Sequence, residues 1–181
     1  IPLSHIILSY VCPHILGLWR GETTKKGMPV SHLFSYLIVS TLCCMYISFA
    51  GLTLMMGLFG VDEQTVISQN MFYARSLFVE RHLLMPMFAY QFWNTVTCLT
   101  YKSLGTKTMI IHHSATMVLQ VIGFLPFLHS ECFFFIGLAE VTNIPLSWID
   151  ACEAKPEWKE QWPNLYSLCQ ASFASLFLGI R

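Results

Sequence analysis

Apolar and polar positions divide the chain into six apolar segments joined by short polar ones, over residues 3–19, 30–59, 82–100, 108–127, 132–148 and 165–180. About 20 apolar residues at 1.5 Å rise cross the hydrocarbon core of a bilayer, so most of these segments read as transmembrane helices. The first, which contains His5, Pro13 and His14, is short for a span. The second is longer than a bilayer needs, so it is expected to tilt or overrun into the interface, with Gly51 marking its end or a bend. Residues 60–81 form the longest polar connection. Its second half, NMFYARSLFVER, puts Met71, Ala74, Leu77 and Phe78 on one helical face and Asn70, Arg75 and Glu80 towards the other. An interfacial helix and a short packed loop both satisfy that pattern. The fourth and fifth segments are separated only by a break at His129-Ser130-Glu131, and residues 151–164, ACEAKPEWKEQWPN, read as a polar loop.

The pattern predicts an all-α, polytopic transmembrane helix bundle. Residues 1–29 supply a first membrane segment and a loop, and residues 30–181 supply one transmembrane domain. The chain starts at Ile1 and stops at Arg181, directly after an apolar run, which reads as a piece of a longer membrane protein truncated at the C-terminal end. No connection is long enough to form a soluble catalytic domain, so any chemistry is expected within or at the edge of the membrane.

Composition sharpens this picture. Hydrophobic residues make up 55% of the chain and charged ones 11%, less than half the roughly 25% of an ordinary soluble domain. The mean hydropathy is +0.56. Net charge is zero with no basic tail, which argues against a nucleic-acid partner. Six of the seven cysteines fall inside apolar segments and Cys152 lies just beyond one, with no CxxC pair and no zinc-type spacing. They read as small hydrophobic residues, and neither a metal nor a cofactor is expected. The loops at 20–29, 102–107 and 151–164 hold Arg20, Lys25, Lys26, Lys102, Lys107, Lys155 and Lys159, against Arg75, Arg81 and Arg181 on the other side. That asymmetry places the first set in the cytosol. Trp19, Trp148, Trp158 and Trp162, near segment ends, fit an aromatic belt.

Candidate chemistry lies in the polar groups within the spans, because an ionisable side chain at membrane depth costs a few kcal/mol or more. Residues three and four apart share a helical face. His113, Thr116 and Gln120 line up on the fourth segment, with His112 on the side of Thr116. Glu140, Asn143 and Ser147 line up on the fifth, after Gly137, which allows close approach of a neighbouring helix. Tyr90, Asn94, Thr97 and Tyr101 do so on the third, with Gln91 beside them. Lipid offers these faces no hydrogen-bond partners, so they are expected to turn towards one another. Such groups can simply hold helices together; alternatively, Glu140 and a histidine supply a general base or a headgroup pocket. Adjacent histidines diverge by about 100° around a helix, so both binding one ion is disfavoured.

The order and spacing of these residues resemble the TLC-domain family of membrane proteins. The points of similarity are Ser31-His32 opening a span, Tyr90 with Asn94, the His112-His113 pair, the GLAEVTNIPL stretch and Arg181. The resemblance runs from about Val30 to Arg181 and implies an all-α membrane bundle able to enclose a lipid chain, usually in the endoplasmic reticulum. Ceramide synthases of that family share the histidine pair and add an HDxSD-type motif. Here Ala139-Glu140-Val141-Thr142-Asn143 lacks its histidine and both aspartates, and Asn94 stands where many relatives carry aspartate. The chain therefore looks closer to the TLC domain-containing members implicated in membrane lipid composition. The function expected first is binding or sensing of a membrane lipid, a sphingolipid or a phospholipid, in an intramembrane pocket. Its candidate lining is His112, His113, Thr116, Gln120, Glu140, Asn143, Tyr90 and Asn94. The second expectation is an N-acyltransferase using acyl-CoA and a long-chain base, with His113 as base and Glu140 assisting. The third is a cargo or trafficking factor of the early secretory pathway.

Overall fold

The computed structural model describes residues 2–56, 77–102, 104–125 and 128–180, and among them every extended element is a helix. Helix α1 spans Pro2–His14 and α2 spans Val30–Met55. Helix α3 is one rod made of Leu77–Val79, a π-helical turn Glu80–Leu84 and Met85–Thr100. Helix α4 is Lys107–Gly123. Helix α5 is a second composite rod: His129–Cys132, a π-helical Phe133–Gly137, a 3-10 helical Leu138–Thr142 and Asn143–Ala154. Short helix α6, Pro156–Gln161, and α7, Pro163–Ile180, complete it.

Local chemistry sets several of these boundaries. The Thr106 hydroxyl accepts a hydrogen bond from the Met109 amide at 3.2 Å and caps α4. Pro156 and Pro163 sit where a missing amide hydrogen costs nothing, at the first position of α6 and α7. Between α1 and α2 the chain reverses tightly at Gly27, whose φ of 76° suits glycine. The Thr24 amide donates to Met28 O at 2.7 Å across that turn.

Helix α2 is the central element, with α1, α3 and α5 packed around it. Helix α3 runs antiparallel to it: Tyr46 meets His82, Cys44 meets Tyr90, and His32 meets Tyr101. Helix α5 is also antiparallel, with Gly51 against Gly137, Cys44 against Glu140 and Ser40 against Ser147. Helix α4 packs on α3, and α7 on α5. One apolar core gathers Cys44, Ile47, Leu83, Leu84, Met87, Trp93 and Ile136 among others. A second, at the other end, holds Met28, Leu33, Leu37, Ala151, Cys152 and Trp158, with Tyr101 and Leu104 packed against it. The three basic connections therefore converge on one end, where Lys155 pairs with Glu22 and the Lys25 amide reaches Ala154 O at 3.4 Å.

The all-helical expectation holds, while several boundaries move. Gly51 neither ends nor bends α2; it is buried inside it, and α2 continues to Met55. Most of the proposed interfacial helix or packed loop, together with residues 57–59, lies outside the described residues, and Leu77–Arg81 belongs to α3. The expected break at His129-Ser130-Glu131 is already helical: α4 ends at Gly123, and His129–Cys132 opens α5. The expected polar loop at 151–164 is mostly helix, because Ala151, Cys152 and Trp158 are drawn into the second core. Trp158 is 4% exposed, so it belongs to that core and not to an aromatic belt. Tyr101 leaves the α3 stripe, since the backbone turns extended there.

One helix among the described residues, Val30–Met55, is by length and composition apolar enough to cross a membrane. The outer surfaces of the other helices are also apolar. Ile6 and Ile7 on α1, Leu42 and Phe49 on α2, Phe92 and Leu99 on α3, Ile111 and Val118 on α4, and Leu168 and Leu178 on α7 all face outward.

Candidate functional site

Helices α3, α4, α5 and α7 line a half-open cavity of about 570 Å³ near the end of the bundle opposite the basic connections. Helix α4 contributes His112, Thr116, Leu119, Gln120 and Gly123; α5 contributes Glu131, Cys132, Phe134, Phe135, Ile136, Ala139 and Glu140; Met87 of α3 adds to the wall. Leu128 and Ile180 complete the boundary. The irregular part of α5 shapes this wall. A π-helical turn is wider than an α-turn and a 3-10 turn is tighter, so their succession across Gly137 re-aims the side chains that follow. Glu140 comes from that segment and is 4% exposed.

The walls are mainly apolar, and five polar side chains interrupt them: His112, Thr116, Gln120, Glu131 and Glu140. Thr116 donates its hydroxyl hydrogen to the His112 carbonyl at 2.8 Å, the usual back-bond of a helical threonine. Gln120 is 2% exposed, and its Oε1 has no partner among the described residues. A buried amide oxygen without a donor costs about 1–3 kcal/mol, so a ligand donor is favoured there.

Behind the cavity a hydrogen-bonded chain joins α5, α2 and α3. Asn143 Nδ2 donates to Glu140 Oε2 at 2.6 Å, and Cys44 Sγ lies 3.8 Å from the same oxygen. The Cys44 thiol also approaches Tyr90 Oη at 3.5 Å; Tyr90 Oη and Ser40 Oγ are 2.6 Å apart, and Ser40 reaches Ser147 at 3.4 Å. A second pair joins α4 to α3: His113 Nδ1 and Gln91 Oε1 are 2.5 Å apart. The Gln91 amide is oriented by its Nε2 donating to Met87 Sδ at 3.7 Å, so its oxygen accepts and His113 carries its proton on Nδ1. The Nε2 lone pair of His113 then has no partner among the described residues.

Of the eight candidate residues, the cavity gathers His112, Thr116, Gln120 and Glu140. The other four do not line it. His113 is turned onto α3 by Gln91, and its ring stands at 63° to that of His112, as neighbours diverging around a helix must. Tyr90 and Asn143 contact the cavity only through the chain that ends on Glu140. Asn94 is fully buried on α3, with its Oδ1 lacking a partner among the described residues.

Sequence reasoning missed Ser40 and Cys44. Their spacing of four, repeated at Ser48, was the available signal: small polar residues along one face of an otherwise apolar helix. Glu131 was missed because it was assigned to a break between spans. All seven cysteines are free, and among the described residues no three His, Cys, Asp or Glu side chains converge on one point. An apolar cavity with a few polar groups suits a ligand that is mostly hydrocarbon with one polar end. Comparison with known proteins found no matching family model, no matching curated sequence and no matching solved structure.

Proposed function

We propose that the chain is a multi-pass membrane protein of the TLC type that binds a membrane lipid in this cavity and thereby influences membrane lipid composition. The supporting observation is the cavity itself: about 570 Å³, walled by Leu119, Phe134, Ile136 and Ala139, with Gln120 and Glu140 at its polar side. The lipid's chain lies along the apolar wall, and its headgroup meets His112, Thr116, Gln120 and Glu140. Antiparallel helices with large apolar side chains facing outward support several spans, since a soluble protein rarely exposes contiguous apolar surface on every side. The ligand is a sphingolipid or phospholipid, and the membrane is that of the endoplasmic reticulum, as the family resemblance implies.

A second reading, N-acylation of a long-chain base from acyl-CoA, draws on His113. Its Nδ1 proton is held by Gln91 and its Nε2 lone pair is available, the form a general base needs. It ranks second because His113 does not line the cavity.

The test is lipid analysis of the purified full-length protein by native mass spectrometry, beside Ala139→Trp, which fills the cavity. One lipid class retained by the parent and lost from a folded Ala139→Trp supports the reading; equal retention refutes it. Newly made ceramide in cells lacking their own synthases, abolished by His113→Ala, would promote the second reading.

A further inference from the structure

At the end of the bundle opposite the cavity, three side chains from distant parts of the chain meet around one atom. His32 Nδ1, on α2, has His5 Nε2 of α1 at 3.4 Å and Tyr101 Oη, just after α3, at 3.0 Å. We propose that His5, His32 and Tyr101 bind a divalent first-row transition metal ion, with Zn²⁺ as the working case.

The first argument is an inventory of hydrogens. A ring nitrogen of neutral imidazole offers either one N–H or one lone pair. If His32 Nδ1 carries hydrogen, it serves only one of its two neighbours well. If it carries the lone pair, the Tyr101 hydroxyl and the His5 N–H compete for it. Hydrogen bonding therefore leaves one close polar contact unsatisfied in either tautomer. A cation removes the conflict, because all three atoms then donate lone pairs to a common centre.

The second argument is distance. Zn–N bonds of about 2.0–2.1 Å at the tetrahedral angle put two ligand nitrogens about 3.3–3.4 Å apart. The His5–His32 separation is 3.4 Å. The 3.0 Å contact to Tyr101 corresponds to a ligand angle of about 95°, which a d¹⁰ ion without geometric preference accepts. Imidazole nitrogen suits zinc and its first-row neighbours, whereas Mg²⁺ and Ca²⁺ prefer all-oxygen sites.

The third argument is burial and support. His5 is 6% exposed, so its ring has given up water for the groups packed around it. Trp93 meets the His5 ring edge-on at 5.6 Å, and the Tyr101 ring lies 5.2 Å from that of His32, so packing already holds the ligands in place. Cys98, nearby in sequence, points its thiol to Leu104 O at 3.8 Å and is not a competing ligand. His32 and Tyr101 are both partly exposed, which leaves a fourth position for water. On binding, the phenol proton of Tyr101 passes to solvent and both imidazoles stay neutral, so affinity falls as the medium is acidified.

The experiment uses the full-length protein in detergent, stripped with EDTA and reloaded with Zn²⁺. Metal analysis is expected to give one Zn²⁺ per chain, and thermal melting is expected to shift upward on loading. His5→Asn and His32→Asn, verified as helical by circular dichroism without metal, each lower affinity by more than about 100-fold, while Tyr101→Phe has a smaller effect and alters the visible spectrum of the Co²⁺-loaded protein. Zinc-edge absorption on the unmutated protein gives a readout free of any folding defect: two imidazoles in a nitrogen and oxygen shell are expected. A sulfur ligand, no retained Zn²⁺, or undiminished binding in the His5→Asn/His32→Asn double variant overturns the proposal.

Discussion

Replacing Gly137 by alanine tests how the bundle is held together. A Cβ built at Gly137 falls 2.5 Å from Gly51 Cα and 3.3 Å from Gly51 N; one built at Gly51 falls 2.5 Å from Gly137 Cα and 2.8 Å from Phe133 O. These are backbone atoms, so no rotamer change relieves the overlap. Helices α2 and α5 must separate by roughly 1 Å to restore an ordinary contact. Overpacking of this kind costs about 1–3 kcal/mol, and a backbone-to-backbone clash lies near the upper end. Removing a glycine from a helix returns up to about 1 kcal/mol, leaving a net loss of about 2 kcal/mol. For a chain of this size that lowers the melting temperature by about 4–8 °C. The assay is thermal unfolding in detergent followed by tryptophan fluorescence. Gly179→Ala, whose Cβ would meet nothing within 4 Å, is the control and is expected to match or slightly exceed the parent. Gly51→Ala should behave like Gly137→Ala, and the double variant should cost less than the sum, because both remove the same contact. A Gly137→Ala protein melting at or above the parent refutes the close-packing argument.

Three further outcomes follow from the polar groups. Gln91→Leu strips His113 Nδ1 of its acceptor and is expected to cost about 1–3 kcal/mol, with the Gln91→Leu/His113→Leu pair recovering part of the loss; additive effects in a double-mutant cycle would contradict the bond. Asn143→Leu removes a 2.6 Å donor to Glu140 and is expected to destabilise by about 1.5–3 kcal/mol in a denaturant or thermal titration; an unchanged midpoint would show that the contact contributes nothing. At the loop end, burial first, then Cys169 and Glu153, raise the Cys152 thiol above its ordinary range. Less thiolate is present at neutral pH, so Cys152 should resist a maleimide until the protein unfolds, as peptide mapping after labelling would show; prompt native-state labelling would contradict this.

The sequence by itself determined that the elements among the described residues are helices, where most of them lie, and that Gly137 admits a close neighbour. Those features are local, because they depend on apolar runs, turn residues and the 3.6-residue period. It also placed Thr116 with Gln120 and Glu140 with Asn143, since residues three and four apart share a helical face. Tertiary structure alone decided the rest. His112 and His113 are adjacent in sequence, yet one lines the cavity and the other turns to Gln91, a choice set by α3. Trp158 looked like an interfacial anchor until the second core enclosed it. The π and 3-10 turns that shape the cavity wall left no mark in the periodicity, because they arise where α5 accommodates α2 at Gly51. The meeting of His5, His32 and Tyr101 was equally illegible: 27 and 69 residues separate the bonded pairs, and only the packing of three helices brings them to one point.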